Sequence, residues 1–204
     1  MFKELKYIIF HPEDGFSVLH QKKSGSVILA VLSAIMWFFA TLFARQYTSF
    51  RFNENNTNSF NIFYILLGTV GIFSAFAVAN WAVCTLFDGE GSFREIFIVC
   101  GYAVIPYWFF QFVGLVFSHV LSLQESIVMI IFTVIGIGYT VFLLFVGFIQ
   151  IHDYSFSKTL FSVIATVIGV FLIIFVIFLA IMLVQELSYF ISSIIKECMM
   201  RSFT

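Results

Sequence analysis

The sequence predicts an all-α, polytopic membrane protein with five transmembrane helices, and its composition is the first reason. Hydrophobic residues make up 61% of the 204 residues, and the mean hydropathy is +1.05. Charged residues make up only 10%, whereas soluble domains carry about 25%. Thirty phenylalanines beside two prolines indicate long unbroken helices. The alternating ten-residue segments typical of a transmembrane barrel do not occur in the sequence.

Five apolar runs are each long enough to cross a bilayer, which takes about 20 residues in a helix. No run carries a charged residue or a histidine in its central part. Because proton relays and ion pathways place ionisable groups at membrane depth, neither is predicted here. The five predicted spans are residues 26–44, 60–87, 96–117, 126–149 and 160–184.

The spans form one predicted membrane domain, residues 26–184, between two amphipathic flanks. In residues 1–25, apolar side chains recur at helical spacing, which predicts a short helix lying flat at the membrane interface. Pro12 ends this helix because it lacks an amide donor. The apolar positions are Met1, Phe2, Leu5, Ile8 and Ile9, and the outward ones are Lys3, Glu4 and Lys6.

The C-terminal tail, residues 185–204, is also amphipathic. Its apolar side chains follow the i, i+3, i+4, i+7 pattern of one helix face. Two interpretations remain open: a helix on the outer membrane surface, and a helix that docks a partner. The apolar face comprises Leu187, Phe190, Ile191, Ile194, Ile195 and Cys198, and the polar face Glu186, Ser193, Lys196, Glu197 and Arg201.

The distribution of lysine and arginine predicts the orientation. Lys22 and Lys23 directly precede the first span, and the loops on their side carry six cationic residues against four on the other side. The N-terminus is therefore expected in the cytoplasm. Five spans then place the C-terminus outside.

Small residues in the second span predict a helix-packing face. Gly68, Gly71, Ala75 and Ala79 step by three, four and four residues, which aligns them on one side of an α-helix. Small side chains there let a neighbouring backbone approach closely. Asn80, next in the chain, is expected to bond to another helix.

The third span carries a proline within an otherwise continuous apolar helix. Pro106 removes one backbone hydrogen bond and clashes with the carbonyl group one turn earlier. A kink is therefore predicted in this span.

Three segments on the predicted inner side resemble one another: residues 11–17 (HPEDGFS), 88–93 (DGEGSF) and 152–158 (HDYSFSK). Helix-start chemistry explains them, and Ser92 with Glu95 fits the capping-box spacing. The alternative is a polar cluster that binds a divalent cation or a basic partner. Its candidate members are His11, Asp14, Asp88, Glu90, His152 and Asp153. The spacing demands no metal, and no metal or other cofactor is predicted.

Sequence motifs for the common catalytic classes are absent. The chain contains no GxSxG, HExxH or GxxxxGK motif and no pair of membrane acids, so we predict that it is not an enzyme. Its net charge of −1 gives no indication of a nucleic-acid partner. Cys84, Cys100 and Cys198 lie far apart and predict neither a disulfide framework nor a metal site.

The order of four motifs resembles the Yip1 domain family, and in particular its bacterial branch. These motifs are HPEDGF before the first span, DGEGSFRE between spans two and three, GYAVIP in span three and IHDYSFSKTL between spans four and five. The resemblance extends over residues 9–184. It implies that six residues shape the inner face of the fold: Asp88, Gly89, Gly91, Gly101, Tyr102 and Pro106.

Eukaryotic members of this family engage Rab GTPases through a long cytosolic N-terminal region. Only about 25 residues precede the first span here, so the resemblance implies a bacterial plasma-membrane protein rather than a Rab partner. We expect a non-enzymatic scaffold or accessory protein. Its expected partners are membrane lipids and either a second copy or another membrane protein, such as a transporter complex.

The competing expectation is a small transporter or lipid-handling protein for a neutral or lipidic substrate. The kinked third span and the glycine-rich fourth span motivate it. Such a protein would hold a polar-lined cavity at the midplane near Asn80, Tyr102 and Pro106.

Overall fold

The computed structural model describes residues 2–53 and 61–202, and every long element in these ranges is a helix. We number the helices α1 to α8 in chain order. The second membrane span, α4, contains a π-helical turn at Leu67–Gly71. The helices are α1 Phe2–Phe10, α2 Pro12–Gln21, α3 Val27–Tyr47, α4 Ile62–Leu86, α5 Phe93–Ala103, α6 Ile105–Phe117, α7 Ser126–His152 and α8 Phe156–Ser202.

The prediction of five membrane-spanning helices is confirmed. Five stretches are long and apolar enough to cross a bilayer, and they coincide with the predicted runs. The start of the second run, up to residue 60, lies outside the described residues. The stretches are Val27–Tyr47, Ile62–Leu86, Phe93–Phe117, Leu123–His152 and Phe156–Glu197.

The third span is broken as predicted. Helix α5 ends at Ala103, and α6 begins at Ile105 with Pro106 in its first turn. Proline is favourable there because the first amides of a helix have no intrahelical partner. The span is therefore two helices joined end to end.

The N-terminal segment forms a hairpin of two helices, whereas the sequence predicted one. Helices α1 and α2 fold back on each other so closely that a Cβ atom on Gly15 would lie 2.7 Å from the Cα atom of Ile8. The hairpin packs into the bundle, where Phe16 is fully buried, and the hydroxyl of Tyr139 on α7 donates to the carbonyl of Ile9 at 2.5 Å. Of the predicted apolar positions, protein covers Ile8 and partly covers Leu5 and Ile9, whereas the side chains of Met1 and Phe2 lie outside the described part of the chain.

Two glycines allow the central helices to approach closely. On α5, a Cβ atom at Gly101 would lie 2.5 Å from the Cα atom of Ala30 on α3. On α7, a Cβ atom at Gly147 would overlap Val99 of α5. These crossings hold α3, α5 and α7 together around a core of buried apolar side chains.

The predicted small-residue face of α4 does not form as one seam. Within the described part of the chain, no atom lies within 4 Å of a Cβ built on Gly68, and Gly71 approaches only its own helix. Ala79 does pack against α8, because a Cβ atom built on Gly169 of that helix would lie 3.3 Å from the Cβ atom of Ala79. Ala75 is half-buried. The π turn shifts the helical register, which the α-helical spacing did not anticipate. The buried residues of α4 are Ile65, Thr69, Phe73, Ala77, Ala79, Asn80 and Cys84.

The C-terminal tail is not a separate helix. Helix α8 runs through 47 residues without a break, which corresponds to about 70 Å at 1.5 Å per residue. Its first part, to Val170, packs against α4, and almost every described side chain from Phe171 onward is exposed. The helix therefore continues through the predicted division at residue 184, and neither glycine nor proline follows Gly169 in it.

Candidate functional site

Two of the three polar segments identified in the sequence meet at one end of the bundle. The amide of Gly91 donates to Nδ1 of His152 at 3.3 Å. The hydroxyl of Tyr154 donates to the carbonyl of Phe87 at 3.0 Å and to that of Cys84 at 3.3 Å. The α4–α5 turn and the α7–α8 connection therefore emerge on the same side. We call this region, residues 87–95 and 152–155, the polar end.

Local sequence signals shape both connections. Ser92 and Glu95 form the predicted capping box at the start of α5: Glu95 Oε2 accepts from the Ser92 amide at 2.9 Å and from its hydroxyl at 2.5 Å. Asp88 and Asp153 have φ values of 54° and 51°, and each follows the end of a helix. Aspartate tolerates this left-handed conformation better than most residues do.

The two glycines of the turn are needed for space. A Cβ atom on Gly89 would lie 2.6 Å from the Tyr154 hydroxyl and 2.7 Å from His152 Nδ1. A Cβ atom on Gly91 would lie 2.7 Å from His152 Cε1. The family-motif glycines of this turn therefore pack directly against the histidine segment.

His152 is the central side chain of the polar end. It is 1% exposed and stacks on the ring of Tyr154, with 5.2 Å between centroids. Because Nδ1 accepts from the Gly91 amide, the neutral ring carries its hydrogen on Nε2. Nε2 is buried, and among the described residues it has no hydrogen-bond partner. Burial raises the pKa of Tyr154 to about 12, so its hydroxyl remains a donor at neutral pH.

Sequence reasoning missed a second histidine at this end. His20 Nδ1 lies 2.9 Å from Glu95 Oε1, which joins α2 to the start of α5. These residues are 75 positions apart, and only the packing of the hairpin brings them together. The sequence offered one indication of this contact, which was that the capping-box spacing places Glu95 at the start of α5. A groove of about 330 Å³ lies beside this pair, lined by His20, Lys23, Glu90, Ser92, Arg94 and Glu95.

The remaining members of the predicted polar cluster divide between two places: Asp88, Glu90 and Asp153 lie at the polar end with His152, whereas His11 and Asp14 lie on the hairpin. His11 and Asp14 are exposed near the tip of the hairpin, where Tyr139 bonds to the hairpin. Tyr139 precedes His152 by 13 residues of one helix, or about 20 Å. Asp88, Glu90 and Asp153 are exposed. No group of three potential metal ligands occurs among the described residues, so the cluster as predicted from the sequence is not formed.

A line of buried polar groups connects α4 with α8. The Asn80 side chain, which is fully buried, donates to the hydroxyl of Thr166 at 3.0 Å. Cys84 lies 3.2 Å from the Ser162 hydroxyl, one turn nearer the polar end. The predicted bond from Asn80 to another helix is thus present. These groups bond to each other across one helix pair rather than line a passage.

The family-motif residues of the third span contact other parts of the fold. The Tyr102 hydroxyl accepts from the Ser26 amide at 2.9 Å and fixes the start of α3. Pro106 is buried at the start of α6. Tyr102 borders a cleft of about 290 Å³ between the hairpin and the start of α3. Neither this cleft nor the groove beside His20 and Glu95 includes Asn80 or Pro106 in its walls.

A family model for the Yip1 domain matches residues 6–179. The chain belongs to the Yip1 domain family. Comparisons with curated proteins and with solved structures gave no match. The Yip1 domain includes the polar end, both central glycine crossings and the packed part of α8. Residues 180–202, the end of the exposed helix, lie beyond the matched region. Family membership and the five apolar helices together establish an integral membrane protein.

Proposed function

We propose that this Yip1-domain protein is a non-enzymatic scaffold or accessory subunit of a bacterial plasma membrane. It acts by binding another membrane protein or a second copy through helix–helix contacts and through its polar end. The observation that carries the proposal is that the buried polar groups form hydrogen bonds within the fold. Asn80, Glu95, Tyr102 and Tyr154 all bond to other elements of the same chain, which supports a structural role.

The polar end supplies a surface for such contacts. Glu90 and Arg94 are exposed and line the groove beside the partly buried His20–Glu95 pair. Charged groups at an interface steer association and select partners. With the orientation predicted from Lys22 and Lys23, this surface faces the cytoplasm.

Isolation from the native membrane in mild detergent or nanodiscs tests the proposal. We expect a dimer or a stable partner to be recovered with the chain. Glu90→Lys should reduce recovery of a cytoplasmic-side partner several-fold, whereas Arg51→Glu, which changes an exposed charge far from the polar end, should not. A lone monomer with nothing co-isolating would overturn the proposal.

A lipid-handling protein is the second candidate, and one cavity favours it. The cavity is about 180 Å³, lies beside the α5–α6 break and has almost entirely apolar walls. Acyl chains fit such a surface better than ions or polar solutes do. Its lining residues are Trp37, Ile72, Phe73, Phe76, Cys100, Val104, Thr140 and Leu144. Lipid scrambling or solute flux above background in proteoliposomes would support this candidate, and background rates would remove it.

A further inference from the structure

We infer that the exposed half of α8 is a self-association surface on which two or more copies form a parallel coiled coil. The inference deepens the proposed function, on which it rests, by naming the surface and its occupant. Helix α8 leaves α4 beyond Val170, and both helices expose large apolar side chains after they separate. On α4, Phe63, Tyr64 and Leu67 are 69% to 76% exposed.

The length of α8 carries its end out of the bilayer. A bilayer with its headgroup regions is about 40–45 Å thick, so a helix that begins at Phe156 and crosses it leaves near Val184, about 42 Å later at 1.5 Å per residue. The next 18 residues, to Ser202, remain helical, which adds about 27 Å. Ser188 and Ser192 donate their hydroxyl hydrogens to carbonyls one turn earlier in the same helix. To lie on the membrane surface, the helix would have to bend sharply, and this part of it contains neither proline nor glycine.

The apolar stripe of this helix has the spacing of a coiled coil. Apolar residues step alternately by four and three, which is the a and d pattern of a heptad repeat. The b, c and f positions between them are mostly polar, and Gln185, Glu186, Ser192, Ser193 and Lys196 occupy five of them. The a and d positions are Ala180, Val184, Leu187, Ile191, Ile194 and Cys198.

A second copy fits this surface because the stripe is complementary to itself. All copies enter the membrane in the same orientation, so their α8 helices run parallel. In a parallel pair, a g position faces the e position five residues later in the partner. Phe190 then faces Ile195 of the other copy, and Leu183 faces Ser188, so neither pair places like charges together.

The exposed area is also sufficient for a stable interface. Eight apolar side chains on this side of α8 are each 46% to 64% exposed. Together they present on the order of 800 Å² per chain, which is the contribution of one partner to a standard interface. The eight are Ile177, Ile181, Val184, Leu187, Phe190, Ile191, Ile194 and Ile195.

Oxidative cross-linking in native membranes tests this inference, with copper phenanthroline as the oxidant. A disulfide requires Cα atoms within about 7 Å, so only positions that face each other in the coil should link. We expect a cross-linked dimer through Cys198 that is lost in Cys198→Ser. In that background, Ile191→Cys should restore the dimer and Ser193→Cys, on the polar side, should give on the order of tenfold less product. Cys84 and Cys100 are buried and should not contribute.

The outcomes separate this inference from the proposed function. Equal linking at residues 191 and 193, or no linking at either position, would overturn the coiled coil. If a different membrane protein still co-isolates in that case, the scaffold proposal stands and only the coiled coil fails. Ile191→Asp combined with Ile194→Asp provides a second readout: the oligomer should be lost while the melting temperature of the bundle stays unchanged.

Discussion

We expect Gly101→Ala to destabilise the bundle more than alanine at any other glycine position would. The new Cβ atom would lie 2.5 Å from the Cα atom of Ala30 and would also overlap its side chain. Because the clash involves the backbone of α3, no rotamer change relieves it. Overpacking costs about 1–3 kcal/mol and occasionally more, and we expect the upper end of that range. The measurement is the melting temperature of the purified protein, together with its yield in the membrane.

Gly138→Ala is the matched control for this substitution. Gly138 lies on a membrane-spanning helix, and no described atom is within 4 Å of a Cβ built there. Alanine is favoured over glycine inside a helix by roughly 0.5–1 kcal/mol, so this variant should be at least as stable as the parent. Adding Ala30→Gly to Gly101→Ala should recover part of the loss. Equal melting temperatures for the two single variants would contradict the close α3–α5 crossing.

A second large loss of stability is expected when Glu95 is replaced with alanine. The substitution removes the reciprocal half of the α5 capping box, in which the Glu95 carboxylate accepts from the Ser92 amide and hydroxyl, and this loss costs about 1 kcal/mol. It also leaves His20 without its carboxylate partner in a partly buried position, which adds roughly 1–3 kcal/mol. We expect a combined loss of about 2–4 kcal/mol from these two effects, measured as a lower melting temperature.

The chain contains its own control for this effect. Ser122 and Glu125 form a second capping box with the same bonds, but it lies in an exposed loop and lacks a contact like that of Glu95 with His20. Glu125→Ala should therefore lose only the cap energy of about 0.5–1 kcal/mol. A double-mutant cycle of His20→Ala with Glu95→Ala isolates the contact between α2 and α5. A coupling energy of zero would show that this contact does not stabilise the fold.

The features predictable from the sequence are those that depend on local chemistry. Length and hydropathy predict the five spans, Pro106 predicts the break between α5 and α6, and the Ser92–Glu95 spacing predicts the cap. The first turns of helices and proline kinks need no knowledge of the rest of the fold. The Asn80 bond was expected for a similar reason, since a buried amide requires a partner.

The remaining features depend on which surfaces meet, and hydropathy does not encode that. An amphipathic segment such as α1 has the same pattern whether lipid or protein covers it, so the hairpin was not predicted. The π turn of α4 moves Gly68 away from the packing face, although the residues themselves give no sign of a register shift. The His20–Glu95 contact joins helices distant in the chain. The α4–α5 turn and the histidine segment of the polar end were therefore predicted, whereas the contact between the polar end and the hairpin was not.

The central claim is that the α4–α5 turn and the α7–α8 connection emerge together on the cytoplasmic side. Labelling of single cysteines from one side of the membrane tests this claim most directly. In a Cys198→Ser background, exposed positions at both connections and at the opposite end can be probed with Glu90→Cys, Ser157→Cys and Arg51→Cys. We predict that an impermeant maleimide labels only residue 51 in intact cells, and labels residues 90 and 157 once the cells are opened. Labelling of residues 90 and 157 from opposite sides would contradict the shared polar end and the five-span arrangement.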